Sequence, residues 1–417
     1  MSDLLSIDAA TARILTFFDP LPGESVSLVD ALGRVLAQDI TADTPLPPFA
    51  NSSMDGFAVR AADSQGASAD TPIRLRVVLD IPAGSAPDRV IQAGEAARIM
   101  TGAQMPEGAD AVIPVEQTDQ HWRAGTNSPQ PEQVAIHREL RPGDYVRAVG
   151  EDLAAGQVVL NVGTVIRPPE LGILASLGFD PVSVVRKPRV AIVTTGDELV
   201  EVNQPLAPGK IRDSNSYTLA GLVTAYGGDP IRIPIARDTI DDVRRRFREA
   251  LDTQPDIVLS SAGVSVGAFD VVRAVLDELG EINFWRVNLR PGKPLAFGSL
   301  NGVPFFGLPG NPVSAMVTFD VFVRPALLKL TRRPDAAATV QAALAEPLTS
   351  DGRRSYLRVQ LRRENGRLIA STTGTQSSSA IMSMVLADGL LIVPEDVTSA
   401  SSGDLFSIRL LRSIDGM

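Results

Sequence analysis

The chain contains no cysteine, which excludes disulfides, iron–sulfur clusters, thiolate zinc sites and a cysteine nucleophile. Histidine is nearly absent too. His121 and His137 both fall in a Gln/Pro/Asn-bearing stretch that reads as a surface excursion, so histidine-based catalysis is not expected. No apolar run approaches the roughly 18 residues that span a bilayer. The opening segment MSDLLSIDAATARIL lacks a basic stretch followed by an apolar one, so neither a membrane nor a secretory signal is expected and a cytoplasmic location is the default. Positive charge is in deficit: 39 Lys+Arg against 49 Asp+Glu give a net charge of −10, which would repel a polyanion and makes nucleic acid a poor partner. There is no internal repeat, and the G-x-S-x-G nucleophile elbow is missing. Chemistry is left to carboxylates, hydroxyls, backbone amides and basic side chains, an inventory that suits Mg²⁺ and phosphate.

What is present is an ordinary globular composition, 44% hydrophobic and 21% charged, over 417 residues. At about 150 residues per domain this predicts two to four domains. Ser6 can cap a helix carrying Ala10, Ile14, Leu15 and Phe18 at helical spacing and ending before Pro20, and a second helix is expected over Val29 to Gln38. From Thr44 to Val149, turn clusters such as TPLPPF, IPAGSAP and RPGD separate short alternating runs such as Arg74 to Leu79, the pattern of a β-rich insertion. A helix follows from Pro168 or Pro169, stopped by Gly178 and expected to pack on the N-terminal helices. Between Pro188 and Leu330, strands expected at Val190 to Thr194, Ile231 to Ile235, Ile257 to Ser260 and Ile282 to Val287 alternate with helices near Ser216 to Tyr226, after Thr239, after Asp270 and from Pro312. A hairpin turns at Asn301-Gly302. Such alternation predicts a doubly wound α/β domain with ligands at the carboxyl ends of its strands. Beyond Arg333 the period returns to two: Leu357, Val359 and Leu361 share one face and Tyr356, Arg358, Gln360 and Arg362 the other, before a turn at Asn365-Gly366.

Three loops between Asp256 and Ala315 read as an anion pocket: DIVLSSAGVSVGAFD, NLRPGKPLAFG and FFGLPGNPVSA. The first is a strand followed by a turn through Gly263 and Gly267, with a helix opening at Asp270. In the third, Asn311 is a natural N-cap and Pro312 the first helical residue. The amides of Val313 and Ser314 are therefore expected to face outward at the positive end of a helix. Arg286, Arg290 and Lys293 form a cationic strip between them. TTGDEL places Asp197 and Glu198 in the loop after the first strand of the α/β domain. Asp238 and Asp270 read equally as helix caps, capping being the better reading of Asp238 on spacing alone. Ser314 reads as an anion-contacting hydroxyl, and Asp55 and Thr101 stand only weakly apart from ordinary turn residues.

The stretches NSSMDGFA, RIMTGAQMPEGADAVIPVE, RPGDYVRAVGED, RVAIVTTGDEL, SSAGVSVGAFD, RPGKPLAFG, LPGNPVSA and TGTQSSSAIMSM occur in order over almost the full length. On these the chain resembles the MoeA-type molybdopterin molybdenumtransferases, a family shared by the C-terminal domain of gephyrin. The resemblance implies an α/β plus β fold in four parts. Residues 1–43 and 150–180 form a helical part, 44–149 an inserted β-rich domain, 181–332 a doubly wound, molybdopterin-binding-like α/β domain, and 333–417 a small C-terminal β-barrel. It also implies a homodimer with the active site near its interface and Mg²⁺-dependent insertion of molybdate into adenylylated molybdopterin, with release of AMP. Molybdopterin adenylyltransferase and molybdoenzyme-delivery proteins are the partners it suggests.

Carried over by position, the family's functional side chains fall on Asp55, Thr101, Glu198, Asp238 and Asp270, with Asp55 and Thr101 contributed by the other protomer. Glu198, Asp270 and Asp152 are the implied metal ligands. Substrate contacts fall on Gly263, Ser265, Gly267, Arg286, Arg290, Lys293, Pro309, Asn311, Pro312 and Ser314, and weaker matches on Gln376 and Ser378. Arg286 and Arg290 stand where the family usually has lysine, and Ala262 where it usually has glycine, which exchanges a point charge for a planar fork and puts a Cβ into a glycine loop. Two rival readings are the related adenylyltransferase, which uses ATP and is built on the α/β domain alone, and a gephyrin-like scaffold.

Overall fold

The structure, a computed structural model, describes residues 4–121, 129–261, 269–335 and 338–413. The chain divides into two compact units. The first comprises residues 1–37, 163–171 and 181–417, and the second 38–162 and 172–180.

The first unit is built on a six-stranded sheet. Its spatial order is Asp229–Arg232, Arg189–Thr194, Ile257–Ser261, Val303–Leu308, Pro294–Leu300 and Gly280–Arg286. The first four strands run parallel, and the last two are added as antiparallel hairpins. Because side chains alternate across a strand, each strand feeds two cores. Val190, Ile192, Ile257 and Leu259 pack with the helix Asn215–Ala225 and the helical stretch from Pro312 to Leu330. Ala191, Val193, Val258 and Phe305 pack with the helices Ile240–Asp252 and Phe269–Leu279. Helices on both faces make this the doubly wound α/β layer expected from the alternation.

Local signals act as the sequence predicts at several element ends. Ser6 caps Ile7–Leu15 through the amide of Ala9, and Thr239 caps Ile240–Asp252 through the amide of Asp242. Asn301 and Gly302 turn the hairpin with φ of 47° and 84°. The expected helix over Val29 to Gln38 is not formed. A single 3-10 turn, Val29–Ala31, ends at Gly33, whose φ is +73°, and Val35 and Leu36 then run extended to bridge Val165 and Val184. The strand expected over Ile231 to Ile235 lies earlier, at Asp229–Arg232, because it pairs in register with Arg189 to Ile192.

The C-terminal strands close into a barrel. Arg354–Glu364 pairs with both Arg367–Thr372 and Gly389–Val393, and the ring continues through Thr339–Leu344 and Leu405–Leu410. Val359, Leu361, Ala370, Leu391 and Ile408 fill it. In the second unit a five-stranded sheet runs in the order Ala111–Pro114, Gly56–Val59, Glu95–Ile99, Ile73–Ile81 and Gln133–Ile136. Its central strands are buried on both faces, Phe57 and Val59 on one side and Ala58 on the other. No helix among the described residues is long and apolar enough to cross a membrane.

Barrel and α/β sheet are joined by a buried charge network. Asp320, in the π-helical turn Phe319–Val323, accepts from the Nε of Arg324 at 3.1 Å and from Arg409 of the barrel, while Arg324 also pairs with Asp335. Asp320 and Arg324 are only 6% and 4% exposed, so removing one partner strands charge out of water. Asp320→Ala is expected to lower unfolding free energy by about 3–5 kcal/mol, read as a lower urea midpoint. An unchanged midpoint would show that the network contributes nothing to stability.

Candidate functional site

The strands Arg189–Thr194, Ile257–Ser261 and Val303–Leu308 end side by side at a cleft of about 640 Å³, where an open α/β sheet binds its ligands. Thr194, Thr195, Glu198, Asp213, Asn215, Ser261, Pro309, Asn311, Pro312 and Ser314 line it. Glu198 folds back over Gly196, whose φ is +151°: a Cβ there would lie 2.5 Å from the Glu198 Oε2, so only glycine allows the approach. The Glu198 carboxylate has no hydrogen-bond or ion-pair partner among the described residues, whereas Asp213 accepts from the Thr194 hydroxyl at 2.8 Å and from the Ser216 amide at 3.0 Å. The Asn215 amide nitrogen donates to Ser261 Oγ and to the Gly310 carbonyl, both at 2.7 Å, tying the start of its helix to two of the three predicted anion loops.

Asp238 does not cap a helix. It and Asp197 exchange amide-to-carboxylate hydrogen bonds of 3.2 and 3.3 Å, and its Oδ1 is buried with no partner among the described residues. Asp270 is the second residue of Phe269–Leu279. Its side chain, with Gly263, Ser265 and Gly267, lies outside the described residues.

The third anion loop differs from expectation in one respect. Asn311 occupies the N-cap position and Pro312 the first turn, but the Asn311 side chain makes no cap; its Nδ2 donates to Ser378 Oγ at 2.9 Å. The amide of Val313, expected to face a ligand, donates to the Ser378 carbonyl at 3.0 Å. Val313 is fully buried, and a buried N–H takes the nearest acceptor, here supplied by a loop of the barrel.

That loop closes a second cavity of about 280 Å³, lined by Arg290, Lys293, Ser314, Arg353, Arg358, Gln376 and Ser378 and sharing Gly292 and Ser314 with the cleft. Gly292 lines both: its φ is +114°, and a Cβ would stand 2.4 Å from Thr318 Oγ1. Asp351 offsets part of the charge, with Arg353 Nε at 3.0 Å and Arg290 Nη1 at 3.6 Å. Hydrogen bonding from Arg353 holds the Asp351 carboxyl below its usual range.

Arg358 is 1% exposed and has no carboxylate partner among the described residues. Its Nε donates to Ser383 Oγ and its Nη2 to the Ser377 carbonyl, each at 3.1 Å, while Gln376 brackets its backbone with bonds of 2.9 and 3.0 Å. Burial, then the facing Arg290, lower its pKa to about 10, so it is still cationic at neutral pH. Strand alternation puts Arg358 and Tyr356 on the face opposite Leu357, Val359 and Leu361. That face is covered here, Tyr356 being 3% exposed. The missed signal was an arginine in a strand paired to the TGTQSSS segment. Arg353 was missed as well.

The expected cationic strip is therefore divided. Arg290 and Lys293 reach the cavity, whereas Arg286 is exposed and lines neither space. In the second unit, Asp55 Oδ1 accepts from both the amide and the hydroxyl of Thr101 at 2.7 Å, which joins half-buried Asp55 and exposed Thr101 in one feature, and Asp152 is exposed. No group of three or more His, Cys, Asp or Glu that could hold a metal occurs among the described residues. The first unit thus offers a cleft with one free carboxylate among its described residues, adjoining a cation-lined chamber suited to a tetrahedral oxyanion.

Three stretches match family models: the MoeA N-terminal region (domain I and II) over residues 5–178, the probable molybdopterin binding domain over 191–329, and the MoeA C-terminal region (domain IV) over 341–411. The chain is 35% identical over 420 residues to the molybdopterin molybdenumtransferase of Bacillus subtilis, covering 99% of this chain and 95% of that one. It is 39% identical over 396 residues to molybdopterin molybdenumtransferase 2 of Mycobacterium tuberculosis, covering 91% and 93%. The crystal structure of the molybdopterin biosynthesis MoeA protein from Pyrococcus horikosii is similar with a TM-score of 0.84 and 32% identity, covering 98% of this chain and all of that one. With matches that run from the N-terminal helix through the barrel, the chain belongs to the MoeA family of molybdopterin molybdenumtransferases.

Proposed function

We propose that this protein inserts molybdate into adenylylated molybdopterin and releases AMP. The observation that carries the reading is the buried guanidinium of Arg358, without a carboxylate partner among the described residues, in a chamber that also holds Arg290, Lys293 and Arg353 and shares Gly292 and Ser314 with the cleft. Four cations against one local carboxylate, Asp351, leave a surplus of positive charge, with the Arg358 guanidinium itself out of water, which a molybdate dianion would neutralise. The larger cleft has room for the pterin and nucleotide, with the phosphates at the junction. Ser378 and Ser314 supply hydroxyls to orient the oxyanion, and the Asn215 bonds to Ser261 and Gly310 keep the walls at fixed spacing. The dithiolene that receives the metal belongs to the substrate, which agrees with a chain that has no cysteine.

Mg²⁺ fits the donor set as a shared ligand. Glu198 is the cleft carboxylate left without a protein donor, and substrate phosphates supply the further oxygens that Mg²⁺ requires. Bound there, the ion would polarise the phosphate bridge toward cleavage. The partner-free Asp238 Oδ1 supports a supplementary role for Asp238, and Asp270 and Asp152 are proposed beside it on position in the family pattern alone. We further propose a cytoplasmic homodimer in which the hydrogen-bonded Asp55–Thr101 pair acts on substrate held by the other protomer.

Purified protein mixed with adenylylated molybdopterin, molybdate and Mg²⁺ is expected to release AMP, and a chain that releases none would not be this enzyme. Glu198→Gln is expected to slow release by on the order of 10²-fold, whereas equal rates would move the metal-binding role elsewhere. Arg358→Met is expected to raise the molybdate concentration needed for half-maximal release by roughly 10- to 100-fold, the loss of a charge-assisted contact, with the fold retained by circular dichroism. An unchanged molybdate dependence would place the oxyanion outside this chamber.

A further inference from the structure

The first unit has a third cavity, about 190 Å³, at the other end of the helix Asn215–Ala225. Asn215 lines the active cleft and Thr224 and Gly227 line this one. Eleven helical residues separate the two by roughly 16 Å. Four cations converge on it from three separate segments: Arg34, Arg186, Lys187 and Arg333. Two are balanced, Arg34 by Glu24 and Arg186 by a bidentate pair with Asp256 at 2.7 and 2.6 Å. Lys187 and Arg333 have no ion-pair partner among the described residues.

The bland explanation is that these cations neutralise the two helix ends that meet here. The terminal carbonyls are already satisfied, however. Leu222, Val223 and Thr224 accept from the amides of Tyr226, Gly228 and Gly227, and Leu327, Leu328 and Lys329 from those of Thr331, Arg333 and Arg332. The Arg333 guanidinium instead donates to the Gly33 carbonyl and lies flat against Gly227, where φ is +84° and a Cβ would come 2.9 Å from Cζ. Burial and the neighbouring Arg34 lower its pKa from the usual value, the sign of a cation whose surroundings provide too little negative charge.

We infer that this cavity is a binding site for an inorganic tetrahedral dianion, of which phosphate is the simplest, contacted by Arg333 and Lys187 and framed by Arg34 and Arg186. Its volume suits a free ion better than a nucleotide, and it is independent of the molybdate chamber. Nothing in the proposed reaction requires it.

The test is calorimetric titration of the full chain with sodium phosphate at constant ionic strength. Arg358→Met provides the background, in which the molybdate chamber is weakened, and the added Lys187 or Arg333 substitutions, which lie outside that chamber, assign the remaining binding. That variant is expected to retain one phosphate site. Adding Lys187→Gln or Arg333→Gln should weaken it about tenfold or more. Lys187 is exposed, so its variant keeps the test valid if Arg333→Gln fails to fold. Displacement of phosphate by equimolar AMP would assign the site to a phosphate monoester and overturn the free-ion assignment; no displacement supports it. Absence of binding to Arg358→Met, or binding that neither added substitution weakens, would overturn the site altogether and leave an adventitious ion only. AMP release by the wild-type chain is measured separately, so failure of this site is distinguishable from failure of the proposed activity.

Discussion

A guanidinium buried without a carboxylate is the constraint around which the catalytic unit is arranged. Taking the Arg358 charge out of water is costly unless hydrogen bonds and an opposite charge replace the lost hydration. The protein supplies the hydrogen bonds, from Arg358 to Ser377 and Ser383, and reciprocal backbone bonds to Gln376. It does not supply the charge among its described residues, and it adds Arg290, Lys293 and Arg353 to the same wall. A site built in this way has its electrostatic stabilisation completed by the ligand, which is how a small oxyanion can be held strongly by a protein of net charge −10.

The same loop that anchors Arg358 also joins the barrel to the α/β sheet. Ser378 accepts from the Val313 amide and from the Asn311 side chain, so the helix that begins at Pro312 is fixed by barrel residues and not by its own cap. A few residues on, the Asp320–Arg324–Arg409 network repeats the connection with buried charge. Chamber and cleft meet at Gly292 and Ser314, between these two contacts. In the proposed reaction, placement of the anion would thus be coupled to the seating of the barrel. The cleft has its own fixed points: Asn215 links Ser261 to Gly310, and the absence of a side chain at Gly196 lets the Glu198 carboxylate lie against its backbone.

Most of the fold was legible because it rests on local rules. Ser6 and Thr239 cap where expected, Asn301-Gly302 and Asn365-Gly366 turn their hairpins with positive φ, and the period-two apolar pattern marks the strands. The misreadings come where tertiary contact overrides local pattern. Val29 to Gln38 has helical spacing, yet Val35 and Leu36 gain more by bridging Val165 and Val184. Arg358 alternates with apolar neighbours as an outward residue does, but its outward face is covered by the Ser377–Ser383 loop.

By itself the sequence determined the class of chemistry and the family. A chain without cysteine and with two histidines is left with carboxylates, amides and cations, and its ordered motifs are too many and too specific for another assignment. It also marked Glu198, Arg290, Lys293 and Asn311, because each sits in a loop fixed by glycine or proline. Only the tertiary structure decided which of the cations share a chamber, leaving Arg286 outside and bringing in Arg353 and Arg358. It likewise decided that the Val313 amide serves Ser378. Burial and hydrogen-bond partnership depend on segments distant in sequence, and those quantities fix whether a charge or an amide remains available to a ligand.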